Sequence, residues 1–140
     1  DKGWAQYRLA TALYQASVSG DCWYLTRYSH SVADTVEYDD EYDFAAEASG
    51  LLVSAYNNAV VAGDFNLKQR ALYANAFIPV GEPYITYEYD SNYNLVEIHH
   101  PDTHQYRALS QLAKFYRANR GEVAPYMSRC DVLKRFLAAK

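Results

Sequence analysis

The sequence has no surplus of basic charge. Its 13 lysines and arginines face 17 aspartates and glutamates, for a formal net charge of −4. Both signs are interspersed. Nucleic-acid binding wants a basic face, so that class is set aside. Long apolar runs are missing as well. No stretch approaches the roughly 20 residues needed to span a membrane, and no transmembrane segment is expected. Cysteine is scarce, with only Cys22 and Cys130. No CxxC pair exists, which argues against a cysteine-based zinc site. The two could close one long disulfide loop in an exported protein. They could equally be two buried thiols acting as small hydrophobes, the reading that their helical surroundings favour. HExxH, GxSxG, P-loop and GxGxxG patterns are also absent.

Tyrosine is abundant, at 15 of 140 residues. It carries apolar area with a polar tip, so it suits half-buried helix faces and binding surfaces alike. Most of these tyrosines fall on apolar helical faces. The length suits one helical domain over 1–140, read as a fragment of a longer protein because Asp1 has no methionine before it.

The pattern along the chain predicts an all-α fold of about six helices. Apolar residues at three- and four-residue steps place helices at 3–18, 22–29, 42–62, 64–77, from 102 or 103 to 120, and 122–139. Gly20-Asp21, Gly63-Asp64 and Gly121-Glu122 mark the turns within three pairs. These read as three stacked antiparallel hairpins, with the unit at 45–79 in the middle. Asp64 and Asp102 or Thr103 are expected helix caps. Pro79, Gly81 and Pro83 end the fourth helix. They open the one stretch with strand character, 84–99, where ITYEYD and YNLVEI flank Ser91-Asn92. It is either a small β-hairpin or a loop insertion. The acidic stretch at 29–43 lacks the spacing and turn glycine of an EF-hand. It is better read as a solvated segment before a helix N-terminus.

Three constellations invite a functional reading. Glu97, His99, His100 and His104 combine imidazoles with a carboxylate, a workable zinc shell. Pro101 keeps His100 and His104 off one regular helix. Tyr56, Asn57 and Tyr73, with Asn58 and Asn75, are candidates for a protein- or peptide-binding face. The acidic, Tyr-rich loops could serve a hydrolase or a carbohydrate-active protein, which would need two carboxylates across a cleft. No catalytic residue and no cofactor is assigned.

The segment AYNNAVVAGDFNLKQRALYANAFIP resembles a degenerate tetratricopeptide repeat. Tyr56, Ala59, Gly63-Asp64, Ala71, Tyr73, Ala74 and Pro79 follow that motif's succession of tyrosine, small residues, turn and proline. The motif's Trp-Leu-Gly signature is missing, and the repeat length differs. The SGDCWYL and SRCDVLKRF segments resemble C-terminal helical regions of large envelope proteins of Gram-negative anaerobes. Together these resemblances imply a non-catalytic interaction or scaffolding domain of a bacterial envelope protein, located outside the cytoplasm. The hydrolase or carbohydrate-active reading and the metal-dependent reading at 97–104 are its rivals.

Overall fold

Three side chains start three helices. In the computed structural model, which describes residues 1–16 and 43–139, Asp43, Asp64 and Thr103 all sit in extended backbone just ahead of a helix. Each accepts a main-chain N–H three residues on: Ala46 at 2.9 Å, Leu67 at 3.1 Å and Tyr106 at 3.2 Å. A cap of this kind contributes about 1 kcal/mol. The helices they open are α2 (Phe44–Ala62), α3 (Phe65–Phe77) and α4 (His104–Ala118). Ahead of them runs α1 (Lys2–Ala16). The helix expected at 22–29, Cys22 and most of the acidic stretch lie outside the described residues.

Gly63 and Asp64 make the turn between α2 and α3. Gly63 takes φ +67°, the left-handed conformation that side chains with a Cβ resist. Its N–H bonds Val60 O at 3.3 Å, and the Asp64 N–H bonds Ala59 O at 2.9 Å. Two orphan carbonyls of α2 are thereby satisfied. Asp64 then caps α3, while its other oxygen accepts from Trp4 Nε1 of α1 at 2.7 Å. One residue thus closes a helix, opens the next and anchors a third. Small residues let α1 come close: Ala48, Ala55 and Ala59 line the buried stripe of α2, and a Cβ on Gly3 would lie 2.8 Å from Leu67 Cδ2.

Two strands follow, β1 (Ile85–Tyr89) and β2 (Leu95–His99). They pair antiparallel, with Ile85 opposite His99 and Tyr89 opposite Leu95. Of the two alternatives for 84–99, the chain adopts the hairpin. Asp90 builds its turn by accepting the Asn92 and Asn94 N–H groups, each at 2.9 Å. These bonds hold the Asp90 carboxyl below the usual carboxylate range, the main-chain N–H of Asn94 most of all. The turn puts Tyr93 at φ +61°. The base of the hairpin is fixed to the helices. Tyr84 N–H donates to Gln105 Oε1 at 2.8 Å, and Arg135 grips both oxygens of Glu97 at 2.6 and 2.7 Å. Tyr87, Tyr89, Tyr93 and Leu95 farther out are exposed.

The expected last helix at 122–139 is corrected. The chain forms two short helices, α5 (Pro125–Ser128) and α6 (Asp131–Ala138), with Cys130 extended between them. Ser128 Oγ donates back to Pro125 O at 2.8 Å, and the chain restarts at Asp131, whose carboxylate suits a first turn. The break leaves Met127 and Leu133 both buried in one core. Cys130 carries a free thiol.

Helix α3 lies at the centre of the described fold. It packs against α2 on one side and α4 on the other, while α1 covers α2 and α6 contacts α4. One apolar cluster joins α3 to α4, α5 and α6 through Leu72, Leu109, Leu112, Met127 and Leu133. A second joins α1, α2 and the end of α3 through Ala10, Ala48, Leu52 and Ile78. Among the described residues the structure is mostly helical, as the periodicity predicts, with one small antiparallel sheet. No helix among the described residues is long and apolar enough to cross a membrane.

Candidate functional site

Because α2 and α4 each pack on α3, the three helices enclose a groove. Lys68, Ala71, Leu72 and Asn75 form its floor, spaced as one face of α3. Leu52, Val53, Tyr56 and Asn57 of α2 make one wall. Gln111, Lys114, Phe115 and Ala118 of α4, with Asn119 just beyond it, make the other. The cavity measures about 480 Å³ and opens to solvent. Its lining mixes apolar side chains with amides, a tyrosine and two lysines. Lys68 Nζ stands 5.6 Å from the centre of the Phe115 ring, a cation–π contact that orients the ammonium.

A polar clasp ties the same three helices together. Ser49 Oγ of α2 donates to Asn75 Oδ1 of α3 at 2.6 Å. It also lies 3.0 Å from His104 Nε2, at the start of α4. Ser49 has one proton, and it goes to Asn75. The contact with His104 therefore needs Nε2–H as donor, which leaves Nδ1 as the unprotonated nitrogen. His104 Nδ1 is buried without a hydrogen-bond partner among the described residues. Burial, with a smaller effect from Arg107, holds the imidazole below its usual range. The set lacks the geometry of a nucleophilic triad: the serine's proton points at the amide, and no described residue orients the imidazole from Nδ1. The bond from Ser49 to Oδ1 holds Asn75 at the groove floor.

The residues proposed from sequence divide among several places. Tyr56 and Asn57 line the groove together. Tyr73 does not. It packs against Phe77 and Tyr126, each with ring centres 4.9 Å away. Burial, followed by contact with Cys130, pushes its hydroxyl above the usual range. Asn75 is buried rather than exposed, and Asn58 donates to Gln6 of α1 at 2.6 Å. Of the histidine set, His99 reaches Glu97 at 3.3 Å and the Tyr84 hydroxyl at 3.3 Å. His100 contacts Thr86 at 2.7 Å, and His104 belongs to the clasp. No group of three or more His, Cys, Asp or Glu side chains that could hold a metal ion occurs among the described residues. Sequence reasoning missed Lys68, Gln111, Lys114 and Ser49. Their spacing on separate helices carries no signal until the helices are placed.

A second concavity of about 590 Å³ lies at the base of the hairpin, lined by Tyr84, His99, Tyr106, Arg117 and Phe136 among others. Its three aromatic rings contact one another at 5.3 to 5.7 Å between centres. Glu97 stands beside it, held below the usual carboxylate range by Arg135 first and His99 second. A general acid needs the opposite shift.

No protein-family model matches the chain, and neither a curated protein nor a solved structure shows significant similarity to it.

Proposed function

We propose that this chain is a protein-interaction domain that holds an extended peptide segment of a partner in the α2–α3–α4 groove. The observation that carries this reading is the lining of the groove. A floor with apolar Ala71 and Leu72 at its middle, a tyrosine and amides that can bond main-chain N–H and C=O groups suit a peptide. Tyr56 and Asn57 serve as contact residues. The stacked-hairpin, tetratricopeptide-like arrangement and a place in a bacterial envelope protein belong to the same proposal, on the strength of the sequence resemblances.

The test is selection from a displayed library of random dodecapeptides on the whole chain. Asn57 is exposed on the groove wall, so Asn57→Trp fills the groove without disturbing the core. Selected peptides should bind wild type and lose binding to Asn57→Trp. If they bind both proteins equally, the groove is not their site and the reading fails.

The aromatic cleft at the hairpin base favours a second reading, in which Tyr84, Tyr106 and Phe136 stack on a sugar ring. Binding on a glycan array that is lost in Tyr106→Leu would support it. An array with no binding would remove it.

A further inference from the structure

We infer that the groove's partner is an acidic peptide, one that presents at least two carboxylates along an extended segment. The inference rests on the peptide-binding reading and adds the chemistry of the ligand. The whole chain is acidic, yet among the described residues no carboxylate lines the groove: the charged lining residues there are Lys68 and Lys114. Neither lysine takes part in an ion pair among the described residues, where Lys134 pairs with Asp131 and Arg135 with Glu97. No described carboxylate neutralises either ammonium group, one on the floor, where it lies over the Phe115 ring, and one on the α4 wall. A set of donors without an acceptor charge repels basic segments and selects acidic ones. Two cations are too few for a nucleic-acid face, which engages many phosphates at once.

The experiment takes the dodecapeptides selected on wild type and reads their composition and affinity. Asp and Glu should be enriched over the unselected library. Affinity, measured by fluorescence anisotropy, should fall about tenfold in Lys68→Gln/Lys114→Gln. It should also weaken as NaCl rises from about 50 to about 500 mM. Both lysines have solvent-accessible side chains, and an unchanged circular dichroism spectrum verifies that the double variant folds. Peptides that need an open groove, by the Asn57→Trp control, but show no acidic enrichment and no loss in the lysine variant overturn this inference and leave the peptide reading intact. Peptides indifferent to Asn57→Trp overturn both. Heparin or poly(U) binding more tightly than the acidic peptides, and through the same lysines, would replace the peptide by a polyanion and also overturn the inference.

Discussion

Removal of one hydroxyl tests the clasp that ties α2, α3 and α4 together. Ser49→Ala leaves Asn75 Oδ1 and His104 Nε2–H without their partner. An unmatched buried polar group costs about 1–3 kcal/mol. Asn75 is 8% exposed, so its oxygen falls within that range; His104 is half-buried and contributes near the lower end. The two together come to about 2–4 kcal/mol. Alanine is the better helix former by about 0.5 kcal/mol, which offsets part of the loss. Little space is vacated, so no sizeable cavity arises. The net expectation is a loss of about 1.5–3.5 kcal/mol. Urea denaturation followed by circular dichroism at pH 8, where His104 is neutral, measures it. Ser54→Ala on the same helix is the control and should stay within about 0.5 kcal/mol of wild type. A double-mutant cycle with Asn75→Ala should show coupling, because the two residues share one hydrogen bond. If Ser49→Ala costs less than about 0.5 kcal/mol, the clasp is not holding the helices and the reasoning is wrong.

The remaining predictions concern the same framework. His104 is held below its ordinary pKa of about 6.5 by burial and Arg107. The unfolded chain therefore takes up this proton first as pH falls. Above about pH 6.5 the group has no effect; below it, stability is lost until the folded pKa is passed. Denaturation across pH 8 to 5 should show this loss, and His104→Gln should flatten it; an unchanged slope contradicts the assignment. Leu112 is fully buried between α4 and its neighbours, and Leu112→Ala should cost about 2–5 kcal/mol by the same denaturation assay. Tyr93 occupies left-handed backbone at the exposed hairpin tip. Tyr93→Gly should raise stability by about 0.5–1 kcal/mol. A loss on that substitution would mean that the ring makes a stabilising contact.

Local features were readable before the structure, and relations between elements were not. Asp64, Thr103 and Gly63 announce helix ends because capping is settled within four residues of chain. The strand character of 84–99 is likewise local, although only the pairing of Tyr84–His100 at its base decides hairpin against loop. The interruption at Cys130 was hidden for a physical reason: Val123, Met127, Cys130 and Leu133 keep helical spacing across it, and no proline or glycine marks the break. Tyr56 and Asn57 share a regular helix, and their place on its face is legible from the spacing. Tyr73 shares their chemistry, but α5 packs onto its face, and nothing local to α3 foretells that. Lys68 and Lys114 look like ordinary solvated charges until α3 becomes a floor and α4 a wall. The three clustered histidines suggest one site only because they are neighbours in sequence. Strand alternation sends His99 and His100 to different partners, and the start of α4 turns His104 toward Ser49.

The most direct test of the account is a titration of the isotope-labelled chain with a groove-selected acidic dodecapeptide, followed by amide chemical shifts. The account predicts shifts concentrated at Val53, Asn57, Lys68, Gln111 and Ala118, which need about tenfold more peptide in Lys68→Gln/Lys114→Gln. Shifts confined to Tyr84, His99 and Phe136 at the hairpin base, with the groove amides unmoved, would contradict it.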